Sequence, residues 1–309
     1  MIRFILERVA QLVIIVLVVS TLTFVLMRLA PGDPATILLT AHNVPASEEA
    51  LTALRKELGL SEPLHIQYVN WLRDVSTGHW GTSYVSKESV LTELWNRLPA
   101  TVELASAGFA VMTLLTLGMG LAASVQSSGW LDRLGRLFAL LGSSIPSFWL
   151  GFLLIYLFSV RLGWLPSMGR EDWTHLVLPA LTLGAGLGAV QARVLRAQML
   201  ELGDRNFVKA AKARGFSRTH ILFFEIFKHA ILPIITLLGT NLSFMLAGNV
   251  IVETIFSWPG LGKYFIDAIT QRDYPVIQGY VIFAAFLIVG VQCLVDVVQV
   301  AVDPRLRLR

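Results

Sequence analysis

The chain has 309 residues, of which 55% are hydrophobic and only 15% charged, against about 25% charged in an ordinary soluble domain. That composition belongs in a bilayer and excludes a soluble globular protein. The formal net charge of +4 is too small to argue for nucleic acid, so the placement of the charges carries more information than their sum.

A helix needs about 20 mostly apolar residues to cross a bilayer. Six stretches qualify: 9–29, 101–125, 137–160, 176–195, 231–251 and 280–302. The first is read as a retained anchor, because it exceeds a signal h-region in length and Arg28-Leu29-Ala30-Pro31 is a poor cleavage site. Six spans put both ends on one side. The expected organisation is an all-α membrane protein with an amino-terminal helix (1–30), a loop folded as a small extracytoplasmic cap (31–99) and a five-helix core (100–309) that includes a cytoplasmic loop (196–230).

The loop opens with the turn sequence Pro31-Gly32-Asp33-Pro34 and is too long to lack structure. Ser47 as N-cap with Glu48 and Glu49 in the first turn predicts a helix over 47–58. A second is expected over 64–75, with Trp71, Leu72 and Val75 on its apolar side. The cap either packs on the outer ends of the spans or receives a partner.

Span two is expected to begin at Leu98-Pro99, with proline in the first turn. Glu103 lies just inside it, either a path residue or a paired structural acid near the boundary. Pro146 removes a helical hydrogen bond and predicts a bend in span three. In span four Gly184, Gly186 and Gly188 permit close helix approach or a widened path. Asp296, toward the end of span six, is a candidate for pairing with an arginine or for gating.

Cytoplasmic loops are enriched in Lys and Arg. Fifteen of the 25 fall in the amino terminus, the loop after span two, the central segment and the tail. Both termini and the central segment are therefore read as cytoplasmic. That segment runs from Arg193, and its main part, 205–233, holds Lys209-Ala210-Ala211-Lys212-Ala213-Arg214-Gly215, an Ala-rich helix closed by glycine. A second helix is expected to start at the N-cap Ser217 and to reach Pro233, where the next apolar run begins.

No G-x-x-x-x-G-K-[ST] sequence occurs, so the chain does not cradle a nucleotide by itself. The six histidines form no two-His helix pair, and no G-x-S-x-G is present. No catalytic residue, bound cofactor or metal ligand is expected. An external motor must supply energy.

The central segment resembles the coupling loop of bacterial ABC importer permeases, in which Glu-Ala-Ala is followed after three residues by Gly and later by Leu-Pro. Here the matching residues are Ala210, Ala211, Gly215 and Leu232-Pro233, with Lys209 in place of the acid. Further segments resemble the dipeptide, oligopeptide and nickel branch: Pro31-Gly32-Asp33-Pro34, Leu58-Gly59-Leu60 with Pro63, Trp258-Pro259-Gly260-Leu261-Gly262, Arg272-Asp273-Tyr274-Pro275 and Asp303-Pro304-Arg305. The resemblance implies the type I importer permease fold in a bacterial inner membrane. It also implies a second homologous permease subunit, two cytoplasmic ATPase subunits that use ATP and Mg, and an extracytoplasmic substrate-binding protein.

The residues so implied for ATPase coupling are Phe207, Lys209, Ala210 and Ala211, then Lys212, Arg214, Gly215, Phe216 and Ser217. Glu103, Pro146, Gly186 and Asp296 are the candidates for the path or its gate. The competing class, a self-sufficient secondary transporter or channel, needs coupling acids, for which Glu103, Glu253 and Asp296 are available. Asn43-Val44-Pro45 and the stretch 98–105 look more like the nickel or metal-chelate subgroup than the di- and oligopeptide one.

Overall fold

A computed structural model of the chain describes residues 2–29, 34–41, 47–57, 59–125 and 129–302. Pro31-Gly32-Asp33, Asn43-Val44-Pro45, Leu58 and Asp303-Pro304-Arg305 lie outside them. In chain order the helices are α1 (Ile2–Leu29), α2 (Pro34–Ala41), α3 (Glu48–Glu57), α4 (Leu64–Ser76), α5 (Val90–Val125), α6 (Trp130–Ser144), α7 (Ser147–Leu154), α8 (Thr174–Gly203), α9 (Asn206–Ala213), α10 (Arg218–His220), α11 (Lys228–Leu246), α12 (Val250–Ile255), α13 (Leu261–Gln271) and α14 (Tyr274–Val302). Two π-helical segments, Ile155–Arg161 and Ile221–Phe227, continue α7 and join α10 to α11.

Among the described residues, five helical stretches are long and apolar enough to cross a membrane: Ala10–Leu29, Val90–Ala122, Thr174–Gly203, Arg218–Leu246 and Tyr274–Gln299. The remaining expected span is broken. Gly135–Ser144 and Ser147–Arg161 together have the length and hydropathy of a span, but they meet at 107°. Pro146 lacks an N–H and drives the residue before it out of the helical region, and Ile145 is extended at φ −84° and ψ 120°. The helix therefore ends and restarts where a kink was expected.

Two other prolines have the opposite outcome. Span two does not start at Pro99: α5 begins at Val90 and runs 36 residues with Pro99 inside it. Pro233 likewise lies within α11, so the helix after Ser217 flows straight into span five. Neighbouring helices in a membrane protein resatisfy the carbonyl a proline frees, which makes interior prolines tolerable. Span five closes at Leu246, short of the expected 251, because Gly248 adopts φ +100° and Asn249 caps a new helix, α12.

The described chain divides into two compact units, Met1–Pro99 with Gly260–Leu287 and Ala100–Pro259 with Ile288–Arg309. The first has a core of Val90, Leu94, Leu261, Tyr274, Ile277 and Phe283. Its first-loop helices form as the sequence suggests: Ser47 Oγ accepts from the Ala50 N–H at 3.2 Å at the start of α3. Helix α4 packs on α1, with the Tyr68 and Trp71 rings 5.3 and 5.8 Å from that of Phe24. Asp273, buried between α13 and α14, accepts from Ser83 Oγ and from the Tyr84 N–H at 3.2 Å. The Arg-Asp-Tyr-Pro sequence thus ends one helix, starts the next and pins the loop before α5.

The second unit is built on α8. Asp172 Oδ1 accepts from the Thr174 N–H at 2.8 Å and satisfies a donor of its first turn. The Thr174 hydroxyl, His175 and that N–H hold the Asp172 carboxyl down at about 2. The glycines of α8 serve close approach. A Cβ on Gly184 would lie 2.8 Å from Val111 Cβ and one on Gly188 2.9 Å from Leu115 Cβ, both on α5. A Cβ on Gly186 would lie 3.2 Å from the Gly142 carbonyl of α6. Helix α8 therefore presses against two helices through backbone contact.

Candidate functional site

The basic segment forms a helix pair at the end of α8. Helix α9 begins after Arg205, which bonds Glu201 one turn back at 2.6 Å. Its end is a Schellman motif: the Gly215 N–H donates to the Lys212 carbonyl at 3.0 Å and the Phe216 N–H to the Ala211 carbonyl at 3.3 Å. Gly215 makes this possible at φ +84°, a conformation costly for any residue with a Cβ. Ser217 then caps α10, its hydroxyl accepting from the His220 N–H at 3.2 Å.

Helical periodicity sorts α9 into two faces. Val208 and Ala211 are buried, at 1% and 5% exposure, in the core that also holds Leu195, Met199, Ile221 and Ile226. Lys209, Ala210, Lys212 and Arg214 are exposed, so the helix is a seated bar with a cationic upper surface. Beyond the turn the Arg214 guanidinium lies 5.3 Å from the Phe216 ring centre. Phe216 stacks on His220 at 4.6 Å and His220 on Phe224 at 4.9 Å. Phe207 meets the His229 ring at 5.2 Å. Beneath the pair, Met199, Gly203, Val208 and Ile221 line a cavity of about 720 Å³.

The path candidates occupy separate settings. Glu103 pairs with Arg170 at 2.7 Å, both about two-fifths exposed. Pro146 is exposed at the α6–α7 bend, Gly186 faces α6, and Asp296 is half-buried in α14. Two neighbouring features escaped the sequence. Arg170 also lies 5.7 Å from the Trp258 ring centre, and Trp258 is fully buried and donates from Nε1 to the Ala100 carbonyl at 2.7 Å. Glu253, also fully buried, accepts from Thr101 Oγ1 at 3.0 Å. The Trp-Pro-Gly sequence marked its own importance, but nothing local marked Ala100 or Thr101 as its receivers.

Comparison with known proteins decides what such a chain is. The family described as binding-protein-dependent transport system inner membrane component matches residues 114–308, and its amino-terminal counterpart matches 1–105. The chain belongs to this family. As a binding-protein-dependent inner membrane component it is a multi-pass ABC importer permease of the dipeptide, oligopeptide and nickel branch, a subunit class without catalytic activity of its own. The glutathione transport system permease protein GsiC of Salmonella typhimurium strain LT2 is 36% identical over 309 residues, covering all of both chains. That of Escherichia coli K12 is 34% identical over the same length. Among solved structures, the inward-facing MetNI methionine ABC transporter is similar in fold, with TM-score 0.56 at 17% identity over 68% of this permease and 96% of that chain.

Proposed function

We propose that this permease carries short peptides of about glutathione's size inward, with α9 and the turn to α10 as the cytoplasmic docking element for an ATPase subunit. The observation that carries the docking role is the two-faced α9: Val208 and Ala211 fix it to the core while Lys209, Lys212 and Arg214 stand exposed. A bar so seated transmits a push as rigid-body motion of α8 and α11 and does not absorb it by bending. Its cations fit an acidic groove on the motor. Ala210 and Gly215 leave room for close approach, whereas Ala211 serves the core and not the contact.

Peptide is favoured over a nickel chelate because the full-length relatives are named as glutathione permeases. In this reading both termini are cytoplasmic, the 31–99 segment faces outward toward a substrate-binding protein, and a second homologous permease completes the path. ATP and Mg belong to the ATPase subunits. Glu103 and Asp296 act as structural acids, and the bend at Pro146 and the packing at Gly186 set the helix positions around the path. The test is uptake of labelled glutathione and ATP hydrolysis by the whole complex in proteoliposomes. Changing Lys209→Glu and Lys212→Glu together is expected to abolish uptake while leaving membrane insertion intact. Unchanged uptake would refute the docking role.

A further inference from the structure

The first unit forms a second, partly open cavity of about 310 Å³, with walls that include Phe24, Arg28, Gln67, Trp71, Trp80 and Tyr274. That volume is at the lower end of the range for small-molecule sites. Two of its polar atoms are left over: Arg28 Nε and Gln67 Oε1 are buried with no hydrogen-bond partner. Burying a donor and an acceptor unmet is costly, and folded proteins pair most such groups with protein or with ordered water. The Gln67 amide nitrogen is already committed to the Leu60 and Glu62 carbonyls at 3.1 and 2.6 Å, which fixes the side chain and leaves the oxygen free to accept. Arg28 is held over the Phe24 ring at 5.2 Å. The cavity thus offers one cationic donor and one neutral acceptor between aromatic walls. Asp74 and His79 also line it, which disfavours a bare anion.

We propose that this cavity binds a compact group bearing an anionic oxygen, carboxylate or phosphate, beside an N–H or O–H donor. The anion pairs with Arg28 and the donor meets Gln67 Oε1. Two sources share this chemistry: a free solute such as a dipeptide or glycerol phosphate, and the headgroup of phosphatidylglycerol. Arg28 stands in the last turn of the Ala10–Leu29 span, within reach of either. The inference does not rest on the docking role of α9.

The test uses the full chain in its complex, delipidated in detergent and titrated calorimetrically with alanylalanine and with glycerol 3-phosphate. In parallel it is placed in nanodiscs of phosphatidylcholine with and without phosphatidylglycerol, and retained lipid is read by native mass spectrometry. Binding in the first arm identifies a solute and selective retention of phosphatidylglycerol a lipid; either supports the site if Arg28→Gln weakens it by about tenfold, as loss of a charge-assisted hydrogen bond requires. Gln67→Leu, which keeps the charge, is expected to weaken it as well and decides the matter if Arg28→Gln does not fold. Binding in neither arm, or binding unchanged in a folded variant, overturns the proposal.

Discussion

Single residues at the two ends of the second unit show how differently buried and exposed polar groups weigh. Thr101→Val removes a hydroxyl that donates to the fully buried Glu253 at 3.0 Å. A buried hydrogen bond contributes about 0.5–1.5 kcal/mol, so thermal unfolding in detergent should register its loss. Glu103→Gln breaks only the half-exposed pair with Arg170, and such pairs contribute about 0–1 kcal/mol; the same assay should barely move. Gly215→Ala places a Cβ at φ +84°, which costs about 1–2 kcal/mol, read as a lower unfolding midpoint. The Schellman stop was legible because glycine after an Ala-rich run has one common use. The inward turn of Ala211 was not, since alanine suits either face and only the position of Val208 three residues earlier fixes which one is buried.

Among the elements, the glycines of α8 and the proline between α6 and α7 set the architecture. Gly184→Ala would drive a Cβ into Val111 and the α5 backbone. Overpacking of this kind costs about 1–3 kcal/mol. Gly118→Ala on α5 meets nothing within 4 Å and should instead stabilise the helix, by up to about 1 kcal/mol. Comparing the two unfolding midpoints separates close packing from mere helix propensity; equal shifts would argue against backbone contact between α5 and α8. A row of glycines reads identically whether it faces a helix or a lumen, so the sequence left that choice open. Proline is ambiguous in the same way: Pro99 and Pro233 sit inside helices while Pro146 ends one. What distinguishes them is the packing around each, which a linear pattern does not contain.

At the scale of the whole molecule, hydropathy alone located five helices long and apolar enough to cross, and the sharply bent apolar pair in place of the sixth, because a bilayer imposes length and composition on any helix that crosses it. The sequence motifs proved to be joints. Trp258 is locked to α5, and Asp273 locks the loop before α5 to the start of α14. The proposed docking surface shows in the sequence as charge, the basic helix pair standing out as a long cationic segment. A cysteine at Lys212, made with Cys293→Ser, tests that assignment most directly through cross-linking to the ATPase in the intact complex. We expect a cross-link whose yield changes with ATP, with the cysteine shielded from an impermeant maleimide added outside spheroplasts while one at Lys87 is labelled. Labelling at Lys212 from outside, or no cross-link to the ATPase in a complex that still transports, would contradict the docking role of α9.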